Sequence, residues 1–196
     1  MRAQASLVTP LPFAGRPPLA QLRRALSALG DLSRRTAEVD ALLAALPPLA
    51  LGPLAFHLGG YARTLVHRQA RFELVLLTWD RGSAAPVHDH DGQDCWFLPL
   101  AGAFDLVDYA LDGGSADGAG GRARLTKLSA RRVGAGELDH RDLQEAVHSV
   151  SPSTTPALSL HLYARPLDRC RVFDRRHDRW RWMALGYDAR AAELAG

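Results

Sequence analysis

The sequence predicts an all-β core of the antiparallel barrel or jelly-roll type, preceded by α-helices. Residues 72–79 alternate in the manner of a strand, and β-branched and aromatic residues become more frequent from about residue 71. Turn-forming runs recur at 80–86, 91–94 and 112–122, and the last is typical of a hairpin loop. Helical patterns do not alternate with these strands, so βαβ units are not expected. Short strands separated by turns favour an antiparallel barrel.

The first third of the chain predicts two amphipathic helices. Residues 19–46 are rich in leucine and alanine, and the leucines recur at helical spacing. Gly30 followed by Asp31 predicts the end of one helix and the N-cap of the next. Pro47 and Pro48 are expected to end the second helix. We interpret these helices as a scaffold that packs against the main body.

A length of 196 residues fits a single domain. Within it we distinguish an N-terminal helical segment at 1–60 that packs on the barrel. A core at 61–175 carries the candidate chemistry, and residues 176–196 form a C-terminal extension.

The composition excludes several classes of protein. Hydrophobic residues make up 47% of the chain and charged residues 23%, an ordinary globular balance. No apolar run reaches the roughly 18 residues that would span a membrane. The N-terminus lacks the pattern of a signal peptide. We therefore expect a cytoplasmic protein without a membrane partner.

Neither the charge nor the cysteines indicate a nucleic-acid or zinc-ribbon protein. The formal net charge is only +3. The basic cluster at 175–182 therefore favours a solvated segment with two buried tryptophan rings over a nucleic-acid surface. Cys95 and Cys170 form neither a disulfide framework nor a CxxC pair.

The sharpest chemical feature is the pair His88 and His90. Side chains two residues apart on an extended strand point to the same face, so both imidazoles can converge on one ion while Asp89 points away. Imidazole suits iron, copper, zinc and nickel.

Gly82 precedes His88 by six residues, and Gly102 follows Cys95 by seven. This spacing around the histidine pair resembles the first motif of the cupins. In that superfamily the position of Cys95 usually holds a metal-ligating glutamate. The resemblance therefore implies a cupin jelly roll whose site is all-histidine and without a carboxylate.

A third ligand is required, and His140 and His148 compete for the role. His148 lies in an alternating, apolar-flanked stretch, so it can project into a barrel from a strand. His140 lies in the charged run 137–142, which favours a loop or surface position. We favour His148.

A set of motifs follows one another in order along the chain: Tyr61-Ala-Arg63, the strand ending in Trp79, His88-Asp-His90, Cys95, Ser159-Leu-His161-Leu-Tyr163 and Cys170. This ordered set resembles the cysteine dioxygenase family. The resemblance runs from Tyr61 to Asp174, over half of the chain.

The resemblance implies a non-haem Fe(II) enzyme that adds both atoms of O2 to the sulfur of a small thiol. The iron would be held by His88, His90 and His148, and the expected reaction converts L-cysteine to cysteine sulfinic acid, a step of cysteine catabolism. The alternatives are 3-mercaptopropionate or another small thiol carboxylate. From other classes, a non-catalytic metal-binding sensor and a zinc or nickel isomerase or hydrolase stay open. No obligate protein partner is implied.

The same resemblance assigns roles to individual side chains. Arg63 would pair with the substrate carboxylate, supported by Tyr61. Tyr163 would direct its hydroxyl to the iron-bound ligands, and Ser159 and His161 share its strand face. In some relatives a cysteine at the Cys95 position forms a thioether with this tyrosine, so the crosslink is a hypothesis here. Cys170 is interpreted as structural.

Two departures from the family pattern affect the expected pocket. Arg165 stands where relatives can have a cis-proline, and it could add a second cationic contact that favours a dicarboxylate thiol. Pro99 follows Cys95 within a predicted strand, which indicates a sheet edge or a bulge.

Overall fold

The computed structural model describes residues 17–46, 60–113, 122–142 and 147–190. Helix α1 covers Pro17–Leu29, a 3-10 turn covers Leu32–Arg34 and helix α2 covers Thr36–Ala44.

Both predicted helices are present. Gly30 ends α1 with a φ of 81°, a left-handed conformation that glycine adopts without strain. Asp31 caps the 3-10 turn rather than α2 itself, because its carboxylate accepts the backbone N–H of Ser33. Helix α2 ends at Ala44, and the two prolines expected to end it lie outside the described residues.

Twelve strands form two six-stranded sheets. The first sheet has the order β12-β1-β2-β9-β4-β7, and the second has the order β11-β10-β3-β8-β5-β6. The strands are β1 Tyr61–Gln69, β2 Phe72–Trp79, β3 Ala85–His88, β4 Cys95–Ala101, β5 Ala103–Gly113, β6 Ala123–Gly134, β7 Asp139–Arg141, β8 His148–Pro152, β9 Ala157–Tyr163, β10 Arg169–Asp174, β11 Arg179–Ala184 and β12 Ala189–Arg190.

Strand β2 is buried on both faces because two cores meet on it. Phe72, Leu74 and Leu76 pack with the leucines of α1 and with Val39 and Leu43 of α2. The alternate residues Val75, Leu77 and Trp79 face the other way and pack with Phe97 and Phe104 between the sheets. The helices therefore cover the outer face of the first sheet. Its inner face closes on the second sheet.

The two sheets behind the N-terminal helices confirm the predicted fold class, an all-β core of the jelly-roll type preceded by α-helices. The hairpin expected around 112–122 is formed by β5 and β6, which pair antiparallel, although residues 114–121 lie outside the described part. Pro99 lies at a bulge, as expected, because the register of β4 against β9 shifts between Pro99 and Ala101.

The segment predicted as a C-terminal extension contributes strands to both sheets. Strand β11 pairs antiparallel with β10, and β12 pairs parallel with β1. The expectation of two buried tryptophan rings is wrong for one of them: Trp180 is 4% exposed but Trp182 is 37% exposed. The guanidinium of Arg169 covers the Trp182 ring at 4.2 Å from its centroid, so this ring is stabilised at the surface.

Within the part of the chain that the structure describes, neither helix has the length and apolar character needed to span a bilayer.

Candidate metal centre

A small cavity of about 40 Å³ lies between the two sheets. Strands β1, β2, β4 and β9 of the first sheet and β3, β8, β10 and β11 of the second supply its lining. His88, His90 and His148 meet on its wall, and their candidate ligand nitrogens lie within 4.8 Å of one another.

Two neighbouring strands create the cluster. His88 ends β3 and His148 begins β8, and the two residues are direct partners in the antiparallel register. Their ring centroids lie 4.7 Å apart, and the His90 ring lies 5.2 Å from His88 and 5.0 Å from His148. His90 itself follows the end of β3, so the expectation that both histidines of the pair lie within one strand is only partly met.

Asp89 lies between the two histidines and points away from them, as the alternation of an extended segment predicts. Its carboxylate accepts the backbone N–H and the Nε–H of Arg171 at 2.8 and 2.6 Å. These bonds fix the segment between the two imidazoles, because Arg171 lies on the neighbouring strand β10.

The histidine nitrogens fit a metal ion. His88 Nδ1 lies 2.7 Å from the carbonyl oxygen of Pro86, so this nitrogen carries the proton and Nε2 keeps a free lone pair. His90 Nδ1 and both ring nitrogens of His148 are buried without a hydrogen-bond partner. Buried polar atoms are normally satisfied, and a bound cation would satisfy the imidazole lone pairs.

Burial also keeps the imidazoles in the form that binds metals. It lowers the pKa of His88, and it lowers the pKa of His90 and His148 well below the ordinary histidine value. The three side chains are therefore neutral and available as candidate metal ligands. Such a donor set suits iron, copper, zinc or nickel.

His140 is not part of the cluster. It lies on β7 and is half-buried, so the prediction of a loop or surface position is wrong. Its ring stacks on Trp96 at 4.5 Å, and its Nε2 lies 2.9 Å from Asp94 Oδ1. The choice of His148 as the third member is consistent with this geometry.

Cys95 and Tyr163 meet across two strands at the same pocket. They are direct register partners on β4 and β9. Both side chains are buried and line the cavity. Burial raises the pKa of the Cys95 thiol and of the Tyr163 phenol, so both groups hold their protons at neutral pH.

A hydrogen-bonded chain lies beside Tyr163. Trp79 Nε1 donates to Ser159 Oγ at 2.8 Å, and this hydroxyl lies 3.0 Å from His161 Nε2. The indole can only donate, so the hydroxyl proton of Ser159 remains available for His161. Burial, with smaller contributions from Arg63 and His88, lowers the pKa of His161 to about 3. The link through Trp79 was not predicted from the sequence, because its partner lies eighty residues away.

Arg63 carries the only formal charge among the described residues that line the cavity. Its positive charge acts on the Tyr163 phenol and partly offsets the rise of that group's pKa caused by burial. Its second terminal nitrogen is buried without a partner. Tyr61 lies next to it on the lining and packs on Trp79 at 4.8 Å between ring centroids. The pocket therefore combines a buried guanidinium with the three neutral imidazoles.

Arg165 does not add a second positive charge to the lining of the cavity. Its guanidinium donates to the carbonyl oxygens of Asp91 and Gly92, and its backbone N–H donates to Gln93. The expectation of a second cationic contact with a ligand is therefore not met, because Arg165 instead fastens the loop that follows His90. Cys170 does line the cavity, and burial raises its pKa to about 12.

The apolar part of the lining was largely missed by sequence reasoning. Leu167, Met183 and Leu185 close the cavity, and the last two come from or directly follow β11. Apolar residues of a short C-terminal strand carry no signal in one sequence that would distinguish a pocket wall from ordinary packing.

The fold and the site together define a small all-β protein with a three-histidine pocket between its sheets. Residues 53–176 match the family model described as cysteine dioxygenase type I, and the chain belongs to this family.

Curated relatives carry the same name. The human "Cysteine dioxygenase type 1" is 29% identical over 119 residues, which cover 59% of this chain and 56% of the human protein. The Danio rerio protein is 34% identical over 122 residues, covering 59% of this chain and 57% of the relative. The chain thus spans little more than half the length of the curated relatives it matches.

Solved structures of similar shape include an RmlC-like cupin protein from Desulfovibrio desulfuricans. It is 20% identical, with a TM-score of 0.42, over 59% of this chain and 92% of that chain. KdgF from Halomonas sp. is 19% identical, with a TM-score of 0.41, over 60% of this chain and 86% of that chain.

Proposed function

We propose that this chain is a non-haem Fe(II) thiol dioxygenase that converts L-cysteine and O2 to cysteine sulfinic acid. Membership of the cysteine dioxygenase family supports the reaction class. The single observation that carries the proposal is a pocket that joins three neutral histidines to one buried arginine, with no carboxylate among the described residues that line it.

His88, His90 and His148 would hold the iron. When bound, Fe(II) would lower the pKa of a coordinated thiol and supply the redox chemistry that joins O2 to sulfur. The balance is simple: a thiol and one O2 give a sulfinic acid, and the thiol itself is the reductant.

The surrounding side chains of this chain would bind and orient the substrate. The unpartnered nitrogen of Arg63 suits a carboxylate, because a guanidinium remains charged when buried and presents its donors in a planar fork. Tyr61 lines the same end of the cavity. The apolar residues of the lining exclude water around these groups.

Tyr163 would act as a hydrogen-bond donor towards the reacting atoms. Its phenol retains its proton, since burial raises its pKa despite the opposing charge of Arg63. Ser159 and His161 would orient it, and Cys95 would form the thioether to it. These roles are proposals that the positions of the side chains support.

One observation keeps 3-mercaptopropionate as the second candidate. The described lining offers a partner for a carboxylate but no acidic group for an amine. The pocket by itself therefore recognises the end that cysteine and 3-mercaptopropionate share. A cytoplasmic location stays a prediction from the sequence.

O2 uptake by Fe(II)-loaded protein tests the proposal, with cysteine, 3-mercaptopropionate and the carboxylate-free thiol cysteamine as substrates. We expect one O2 per sulfinate formed with cysteine, and loss of uptake in His88→Ala. Faster turnover of 3-mercaptopropionate would move the assignment to that thiol. Iron-loaded protein that consumes no O2 with any thiol would refute the enzyme and favour the non-catalytic sensor.

A further inference from the structure

We propose that the turn Gly186–Asp188 is a clamp that positions Arg63 for the carboxylate of the substrate, with Tyr187 and Asp188 as positioning residues. This inference rests on the proposed function of Arg63. The turn lies outside residues 53–176, the part that matches the family model, so it is a feature that family membership does not supply.

Three consecutive residues of the turn each contact a different part of Arg63. The carbonyl of Gly186 accepts the Nε–H of Arg63 at 3.1 Å. The Tyr187 ring lies 5.9 Å from the Arg63 guanidinium carbon. The Asp188 carboxylate accepts the backbone N–H of Arg63 at 2.7 Å, and the Asp188 backbone N–H donates to the Arg63 carbonyl at 2.8 Å.

These contacts leave one edge of the guanidinium for a ligand. The Nε edge is held by Gly186, and Tyr163 lines the same cavity as Arg63. The second terminal nitrogen is buried and unpartnered, and Arg63 is one of the residues that line the cavity. The turn holds Arg63 at its backbone and at Nε, and the Tyr187 ring lies beside the guanidinium. The side chain therefore loses little further freedom when a carboxylate binds.

Hydrogen bonds connect the turn to buried residues of the first sheet. The Tyr187 hydroxyl donates to Glu73 Oε2 at 2.6 Å and accepts from Arg68 at 2.8 Å. Glu73 is fully buried on β2 and is the register partner of Tyr163. Arg68 also pairs with Asp168 at 2.7 Å. A charged residue at an inward position of the apolar strand 72–79 was the only sequence signal of this network.

The network favours a clamp over a passive surface turn. A carboxylate buried as completely as Glu73 is unfavourable unless charged or hydrogen-bonding groups compensate it. Here Arg68 and Tyr187 compensate Oε2, whereas Oε1 is buried without a hydrogen-bond partner. The bond to Oε2 places the Tyr187 ring against Arg63.

Asp188→Ala tests the proposal. We expect the KM for cysteine to rise about 3- to 10-fold, as for the loss of one hydrogen bond, with kcat nearly unchanged and the KM for cysteamine unaltered. Asp188→Asn keeps an acceptor oxygen and should restore most of the affinity. The KM of Tyr187→Phe for cysteine should lie between those of Asp188→Ala and Asp188→Asn.

Asp105→Ala is the control, because it removes an exposed carboxylate that pairs with Arg132 on the surface and does not line the cavity. It should leave both KM values unchanged.

A second readout separates this proposal from the proposed function. The Nε–H of Arg63, followed by NMR in protein with ¹⁵N-labelled arginine and assigned with Arg63→Lys, should exchange slowly with solvent in the wild type and faster in Asp188→Ala. If the wild type turns over no thiol, the proposed function fails while this exchange still tests the clamp. Unchanged exchange would refute the clamp, and faster exchange without a change in the preference for cysteine over cysteamine would refute its role in positioning.

Discussion

Cys95 and Tyr163 are direct partners in the register of β4 against β9, and both side chains face the three-histidine pocket. Side chains directly opposite each other on neighbouring strands have Cβ atoms about 4.5–5.5 Å apart. The backbone therefore brings the thiol and the phenol ring together before any chemistry occurs.

This register predicts a thioether between Cys95 and Tyr163. Intact-mass analysis of active, iron-exposed protein should show the loss of two hydrogens, because bond formation oxidises the thiol and the ring with O2 as the oxidant. Cys170→Ser, which changes the other buried thiol of the pocket, should retain the loss, and Cys95→Ser should abolish it. An unchanged mass in active, iron-exposed protein would contradict the crosslink.

The choice between the two candidate histidines predicts different metal contents. His148→Ala should lose bound Fe(II), because it removes one of the three converging imidazoles. His140→Ala should keep it, because His140 stacks on Trp96 and bonds to Asp94 instead. Metal analysis after gel filtration measures both variants. Retention of iron by His148→Ala together with loss by His140→Ala would reverse the assignment.

The hydrogen bond from Trp79 predicts an effect on turnover. Trp79→Phe removes the donor to Ser159, so the hydroxyl can turn away from His161. We expect a destabilisation of about 1–3 kcal/mol and roughly a tenfold lower kcat, equivalent to about 1.4 kcal/mol. Trp180→Phe is the control, because its buried indole nitrogen has no partner to lose. Equal kcat values in the two variants would show that the chain through Ser159 does not orient Tyr163.

The pKa of His161 predicts a pH dependence of stability. Burial lowers this pKa to about 3 from an ordinary value of 6.5. Between these values the unfolded chain binds more protons, so the free energy of unfolding rises with pH and reaches its full value above 6.5. In metal-free protein, His161→Gln should lower the slope in this window by up to about 1.4 kcal/mol per pH unit. Urea unfolding at pH 5 and 7 measures it, and parallel curves for both proteins would contradict a neutral, buried His161.

The contact between α2 and β4 predicts how much the packed helices contribute to the free energy of unfolding. Trp96 is fully buried, and its Nε1–H donates to Asp40 Oδ1 at 2.8 Å. Asp40→Ala should lower the free energy of unfolding by about 1–3 kcal/mol, because it leaves the buried Nε1–H of Trp96 without an acceptor. Asp31→Ala, at an exposed cap, should lower it less.

The division into a helical segment at 1–60, a core at 61–175 and an extension at 176–196 stays a prediction. Separate unfolding of the helices would contradict their packing on the core.

Much of the fold could be predicted because its signals are local. The leucine spacing of α1, the Gly30–Asp31 break and the alternation of β2 depend on neighbouring residues, and each is observed. The spacing of His88 and His90 likewise placed two imidazoles on one side and Asp89 on the other. Arg165 was misjudged because its partners, the carbonyls of Asp91 and Gly92, lie more than seventy residues away.

The sequence alone determined the class of fold, the residue types at the pocket and the family resemblance, because periodicity and short motifs are written in consecutive residues. The tertiary structure alone decided that Cys95 lies opposite Tyr163, and it placed His148, which the sequence had only favoured over His140, opposite His88. It also decided that the turn at 186–188 holds Arg63. These relationships are set by strand register, and the free energy that fixes a register comes from burying whole faces of a sheet rather than from any local pattern.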